Sequence, residues 1–392
     1  MSNPSILTLN AGSSSLKFAL YVGDAADGPG IRGQVDRIGD AAAIELRFGD
    51  AAPRRDAVAA PDHTAALAAA LGLIEARHGR LSPDAVGHRI VHGGPSHAGP
   101  AVLNDTVIAG LEALVPFAPL HQPHNLSGVQ AARRAFPAAL QVACFDTSFH
   151  RAQPMLNKLF ALPYAYYERG ICRYGFHGLS YDHIASVLST AFPEVAGGRV
   201  IVAHLGNGAS MCAIANGQSV ASSMGFSALE GLPMGTRCGQ IDPGVILYLM
   251  REEGLDADEI SDLLYKRSGL LGLSGMSNDM RTLQTSADPA AKMAIAYFVA
   301  RIQRETGALA ASMQGLDAFV FTAGIGEHAA ALRAAVCDGL GWLGLTVDAT
   351  RNAAHAQRIS PENGRCPVFV IPTDEEGVIA RKTRAMLAKA GR

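Results

Sequence analysis

Short apolar runs, each closed by glycine or a small polar residue, recur along the chain. Runs rich in branched and aromatic residues predict strands at 6–9, 18–22, 86–91, 140–145, 200–204, 211–214, 319–322 and 368–371. Helical stretches alternate with them. Residues 61–77 open on Pro61 and Asp62 and carry apolar positions at helical spacing, and 288–314 form a longer stretch of the same kind. This alternation predicts α/β layers on a mostly parallel or mixed sheet. No apolar run approaches the length needed to span a bilayer; the dense stretch 318–321 stops within a few residues.

The pattern repeats at long range. Leu9-Asn-Ala-Gly-Ser-Ser-Ser-Leu-Lys-Phe-Ala-Leu20 overlays Ala203-His-Leu-Gly-Asn-Gly-Ala-Ser-Met-Cys-Ala-Ile214, with Gly12 on Gly206, Ala19 on Ala213 and Leu20 on Ile214. The offset of 194 is almost half of the 392 residues, as a duplicated domain leaves it. Two similar domains make a cleft for a ligand. The expected division is 1–150 and 151–375, with a C-terminal helix 376–392 able to pack back on the first domain.

Three turns carry candidate chemistry. Asn10-Ala-Gly-Ser-Ser-Ser-Leu-Lys17 gathers backbone N–H groups and hydroxyls beside a cation, a setting for phosphate or for an ordinary hairpin with a solvated lysine. His204-Leu-Gly-Asn-Gly208 repeats the device, and Ala323-Gly-Ile-Gly-Glu-His328 is a third glycine turn at a strand end. The last forms a GxGxxA pattern with Ala329, but it does not open a unit with an acidic residue at the next strand end, which argues against a dinucleotide fold. Three such turns in two similar halves suggest a nucleotide along a cleft. Arg89, inside an apolar strand, needs a carboxylate of the protein or an anionic ligand as partner, and Arg237 lies among small residues in a similar way. Asp146 follows a strand end, as do Glu375 and Glu376; with Asn10 these glutamates offer oxygen ligands for Mg2+.

Composition narrows the classes. Lys and Arg number 33 against 35 Asp and Glu, a net charge of -2 without a basic tract, so no nucleic-acid or acidic-membrane footprint is expected. The N-terminus lacks the basic start, apolar middle and cleavage site of a signal peptide. Six scattered cysteines with no CxxC read as buried thiols of a cytoplasmic protein. The histidine pairs His88/His92, His121/His124 and His177/His183 lack a helix with a nearby acid, which argues against zinc. Ser14-Ser-Leu-Lys17 matches SxxK, but the SxN and KTG partners of that hydrolase class are missing.

The strings Leu9 to Lys17, Gly87-His-Arg-Ile-Val-His-Gly-Gly94, Ala118-Pro-Leu-His121, Phe145-Asp-Thr, Tyr174-Gly-Phe-His-Gly178, His204 to Gly208, Gly235-Thr-Arg-Cys-Gly239, Phe321-Thr-Ala-Gly-Ile-Gly-Glu327 and Pro372-Thr-Asp-Glu-Glu376 together resemble the acetokinase family of short-chain carboxylate kinases. Order and spacing agree over essentially the whole chain. The resemblance implies a duplicated actin-like ATPase fold of the hexokinase, Hsp70 and actin type (ribonuclease H-like), a cytoplasmic homodimer, and reversible transfer of a phosphoryl group between ATP and acetate. It further implies that Asn10 and Glu375 hold Mg2+, with Mn2+ able to substitute, and that Lys17 sits by the nucleotide phosphates. His204, Leu205, Gly206, Asn207, Gly208, Asp279, Met280, Arg281, Gly324, Ile325, Gly326, Glu327 and His328 would contact ATP or ADP. Arg89 would bind the carboxylate, with Val91, Leu120 and Ala228 walling its methyl group. Asp146 takes the position of the family's catalytic acidic residue, and His177 and Arg237 those of groups that stabilise the transition state.

The chain departs from the family pattern at a few positions. Ala228 stands where a proline is usual, which leaves room for a larger acyl group and makes propionate the nearest alternative acceptor, with butyrate third. Gln122, His328 and Asp374 each replace an asparagine, and Pro95 a glutamate. A hexose kinase would need a carboxylate base against a neutral hydroxyl, and a non-catalytic relative could lose Arg89, Arg237 or His177; all three are present.

Overall fold

The structure, a computed structural model, describes residues 4–12, 14–23 and 28–391; Ser13 of the first glycine-serine turn and Met1–Asn3 lie outside the described residues. The chain divides into two compact units, Met1–Phe149 with Asp374–Arg392, and His150–Thr373.

The first unit carries β1 (Ser5–Ala11), β2 (Ser15–Val22), β3 (Ile31–Asp36), β4 (Ala43–Phe48), β5 (Arg54–Ala57), β6 (Ala85–Ile90), β7 (Ala101–Val102) and β8 (Leu140–Phe145). They form one mixed sheet in the order β5-β4-β3-β2-β1-β6-β8-β7. The central strands are buried on both faces, which explains their continuous apolar sequence. Leu7, Leu9 and Phe18 join Leu67 and Ile74 of the helix His63–His78 in one core, whereas Ile6, Ala19 and Tyr21 join Ala380 and Leu387 of the C-terminal helix in another. That helix, Glu375–Lys389, lies so close to β6 that a side chain at Gly87 would collide with Ile379 and Thr383. Asp374 caps it by accepting from the Gly377 N–H at 3.0 Å, and so Asp374 and Glu375 belong with the first unit, where the expected second domain ran to 375.

The second unit carries β9 (Arg199–Leu205), β10 (Ala209–Ala215), β11 (Gln218–Ser222), β12 (Ala318–Thr322) and β13 (Val368–Val370), in the order β11-β10-β9-β12-β13. Its long helix Pro289–Met313 starts where Asp288 accepts from the Ala290 N–H. The sheet repeats the centre of the first one. β3-β2-β1-β6-β8 and β11-β10-β9-β12-β13 share both order and sense: two antiparallel pairings, then two parallel. One detail of the predicted overlay changes. Ala11 pairs with Leu16, but Leu205 pairs with Ala209, so the first hairpin is one residue longer. With β1 laid on β9, Ala19 therefore matches Cys212 and Leu20 matches Ala213.

No described helix is long and apolar enough to cross a membrane. All six cysteines are free thiols, and burial pushes Cys212, Cys337 and Cys366 up to about 12, which makes them unreactive near neutral pH.

Candidate active site

In the first unit the parallel run β1, β6, β8 brings Asn10, Arg89 and Asp146 together at its carboxyl end, where open α/β sheets hold ligands. Arg89 donates from Nε to both Asp146 oxygens at 3.1 Å and from Nη2 to Oδ2 at 2.6 Å. Its Nη1 donates to Asn10 Oδ1 at 3.1 Å, and Glu375 Oε2 lies 3.8 Å from Nε. The partner that the sequence demanded for Arg89 is thus a protein carboxylate. Asp146 is 1% exposed and the Arg89 side chain 18%, so the pair is largely but not wholly covered. Burial works to lower the Arg89 pKa, but Asp146 and Glu375 outweigh it, and the cation is held more firmly than in water. Burial pushes the Asp146 carboxyl up and the guanidinium pulls it back.

Asn10 and Glu375 lie side by side, with Asn10 Nδ2 3.5 Å from Glu375 Oε2. Lys17 faces Asn10 directly across the β1–β2 hairpin, with its side chain toward solvent. Burial and the neighbouring Glu375 raise the Glu376 carboxyl. Among the described residues no group of three or more His, Cys, Asp or Glu could cage a metal. Glu375 Oε2 and Asn10 Oδ1 are the oxygens on offer to Mg2+, which takes few protein ligands and completes its shell with water and phosphate; it is the Asn10 nitrogen that faces Glu375, while Oδ1 accepts from Arg89. The rejected zinc pair His88/His92 is internal: His88 Nε2 bonds Gln141 at 2.8 Å, His92 Nδ1 accepts from the Gly94 N–H at 2.9 Å, and burial lowers both to about 4.

In the second unit His177 caps the helix Gly178–Ala191 from a left-handed backbone, φ 56°. Such a conformation is costly for a non-glycine residue and collects at functional sites. Its ring stacks on His204 with centroids 4.3 Å apart. A Cβ on Gly208 would come within 3.4 Å of His177 Nε2 and 4.0 Å of Arg237 Nη1, so the glycine keeps the space beside both cation-capable groups open. Arg237 is anchored by Nη1, which donates to the Ala228 carbonyl at 3.0 Å. Ala228 thus shapes the guanidinium's position through its backbone. Val91 and Leu120 lie in the first unit and Ala228 in the second.

A cavity of about 470 Å3 opens in the second unit. Gly206, Asn207, Asp279, Met280, Arg281, Gly324, Ile325 and His328 of the predicted nucleotide set line it, together with Asn278, Gln284 and Ala329. The other members of that set sit elsewhere. His204 stacks on His177, the Leu205 side chain is in the core, Gly208 borders Arg237, Gly326 packs on Phe321, and Glu327 accepts from the Thr373 N–H at 3.2 Å. Asp279 caps the short helix Met280–Thr285 and pairs with Arg281 at 2.6 Å. Gln284 lies one turn after Met280 and so shares its face, a spacing visible in the sequence; Asn278 had no local signal.

The segment 323–328, expected as a glycine turn, is a short helix, Ala323–His328, that starts directly at the end of β12 with Ala323 at φ 64°. Its C-terminal carbonyls are satisfied by Arg333, a fully buried residue that sequence reading passed over. Arg333 Nη1 donates to Gly326 O at 2.9 Å and Glu327 O at 2.7 Å, while Nε donates to Asn352 Oδ1 at 2.8 Å. Unmet carbonyls at a helix end need such a donor, and Arg333 thereby holds one wall of the cavity.

The comparisons agree with this architecture. The model of the acetokinase family matches residues 5–381. The acetate kinase of Nitrobacter hamburgensis is 51% identical over 391 residues, 98% of this chain and 96% of that protein. Among solved structures, Porphyromonas gingivalis acetate kinase is 37% identical with a TM-score of 0.87, covering 98% of this chain and 100% of that one. A propionate kinase from Francisella tularensis is 33% identical with a TM-score of 0.91, covering 97% and 99%. The two α/β units are of the actin, hexokinase and Hsp70 ATPase type. With a family match over nearly its whole length and half its residues identical to a full-length relative, this chain belongs to the acetokinase family.

Proposed function

We propose that this chain transfers the γ-phosphoryl group of ATP directly and in line to acetate, reversibly, giving acetyl phosphate and ADP. As a member of its family it is an ATP-dependent phosphotransferase acting on a short-chain carboxylate. The observation that carries the acceptor class is Arg89: a charged guanidinium clamped by Asp146, on a side chain that is 18% exposed, at the carboxyl end of a parallel sheet. That is a receptor for a small carboxylate.

A carboxylate acceptor has a pKa near ~4 and is ionised at neutral pH, so the attacking oxygen needs no base. Asp146 is engaged with Arg89 through both oxygens, and its role in this reading is to orient the guanidinium. Arg237, His177 and Lys17 supply donors for charge that spreads over the phosphoryl oxygens. Asn10 and Glu375 would hold Mg2+, which when bound neutralises phosphate charge. The 470 Å3 cavity is assigned to the nucleoside part of ATP, with Asp279, Arg281, Gly324 and His328 on its wall.

The experiment is a hydroxylamine trap for acyl phosphate with Mg-ATP and acetate, propionate or butyrate in turn. Hydroxamate formation with the highest kcat/KM for acetate is expected. A higher kcat/KM for propionate would transfer the assignment to a propionate kinase, a reading favoured by the small Ala228 and by the similarity to the Francisella propionate kinase. No product from any acid would overturn the reading.

A homodimer is proposed as well. The helix Pro243–Arg251 buries none of its nine residues, although it presents Val245, Leu247, Tyr248 and Met250, and Met293 and Tyr297 of the long helix are also exposed. An apolar helix left uncovered in a single chain marks an interface. Light scattering is expected to give twice the mass of one chain, and Tyr248→Glu with Leu247→Glu to halve it; a monomeric wild-type chain would exclude the dimer.

A further inference from the structure

His177 and His204 are built alike. Each Nδ1 meets a serine hydroxyl at 2.8 Å, Ser210 for His177 and Ser180 for His204. Each serine meets a second hydroxyl in turn. Tyr181 OH lies 2.5 Å from Ser210 Oγ, and Thr373 Oγ1 donates to Ser180 Oγ at 2.8 Å. Ser180 and Tyr181 are consecutive in the first turn of the helix that His177 caps, so one turn of backbone serves both rings. Ser180, Tyr181 and Ser210 are fully buried, where an unmet hydroxyl is costly and the chain of bonds is firmly held.

We infer that Tyr181–Ser210 and Thr373–Ser180 are positioning pairs that hold both imidazoles in the tautomer protonated on Nε2, so that phosphoryl oxygens meet two N–H donors. The inference rests on the phosphoryl-transfer reading above. Its direction follows from hydroxyl chemistry. A phenol is a stronger donor and a weaker acceptor than an aliphatic alcohol, so Tyr181 donates to Ser210, and the Ser210 proton goes to His177 Nδ1. Burial keeps that phenol protonated, well above its ordinary pKa. In the other pair Thr373 donates to Ser180, which leaves the Ser180 proton for His204 Nδ1. A ring that accepts at Nδ1 carries its proton on Nε2.

Both Nε2 atoms border the same glycine turn. A Cβ at Gly208 would lie 3.4 Å from that of His177, and a Cβ at Gly206 4.0 Å from that of His204. The glycines leave room there for phosphoryl oxygens. In the opposite tautomer each ring would present a lone pair, which repels an oxygen that carries negative charge.

The test uses the whole chain labelled with 15N-histidine, read by long-range 1H–15N correlation, together with hydroxamate kinetics. The His177 signals, identified by their loss in His177→Gln, are expected to report the Nε2–H tautomer. Tyr181→Phe, which removes one oxygen and keeps the ring, and Ser210→Ala should each move the signals toward a tautomer mixture. Each should lower kcat about ten- to a hundredfold, the usual cost of losing an imidazole's outer hydrogen-bond partner, with KM for ATP unmoved. Ser210→Thr restores the hydroxyl and should recover both tautomer and rate. An Nδ1–H signal at His177 in active wild-type protein overturns the inference, as does an unchanged kcat in both deletion variants. A wild-type chain that forms no acyl phosphate overturns the functional reading instead.

Discussion

Arg237→Ala is expected to lower kcat for acyl phosphate formation by about a thousandfold or more, with KM for ATP changed only a few fold. The reason lies in where charge develops. In a loose phosphoryl-transfer transition state, negative charge spreads over the equatorial oxygens, and a fixed guanidinium meets it without reorganisation. The arginine is fixed: Nη1 donates to the Ala228 carbonyl at 3.0 Å, and Gly208 keeps the adjoining space open. Arg237→Lys retains the cation but loses the planar fork, so its kcat should fall between those of wild type and Arg237→Ala. A KM for ATP that rises in step with the loss of kcat would assign Arg237 to ground-state binding.

The second large effect concerns Arg89. Arg89→Gln is expected to reduce kcat/KM for acetate by about a hundredfold or more, chiefly through KM for the acid, and to destabilise the fold by about 3–5 kcal/mol. The two losses have different origins. Activity falls because the proposed anion receptor is gone. Stability falls because Asp146, 1% exposed, keeps a buried carboxylate whose closest cationic partner has been removed. The double variant Arg89→Gln, Asp146→Asn separates them: two neutral groups that can bond each other should regain most of the melting temperature without the activity. Asp146→Asn alone tests the orienting role. It should raise KM for acetate, because Arg89 loses its charged anchor, and an unchanged kcat/KM for acetate in this variant would remove Asp146 from the machinery.

These predictions depend on contacts that differ in how far they could be read from the chain. The helix starts at Asp62 and Asp288 were local, since each aspartate caps a backbone N–H within three residues. The central strands were legible because burial on both faces demands a continuous apolar run. β3, β4 and β5 were not among the predicted strands. In β4, buried Ile44 and Leu46 alternate with exposed Glu45 and Arg47, so only a brief alternation marks it, and β3 is interrupted by Gly33. Segment 323–328 read as a turn because of its glycines, yet it is helical, and Arg333, in the next helix, satisfies its last carbonyls.

By itself the sequence determined the α/β class, the half-length repeat, the strand ends that carry Asn10, Arg89, Asp146 and His204, and the family. Those features depend on the periodicity and order of residues close together in the chain. Tertiary structure decided the partnerships: Arg89 with Asp146 across 57 residues, His177 with Ser210 across 33, and Asn10 with Glu375 across 365. It also decided that the C-terminal helix returns to the first sheet, closing against Gly87. No local propensity encodes such pairs, because a buried charge or hydroxyl takes its partner from whichever strand or helix the packed core sets beside it.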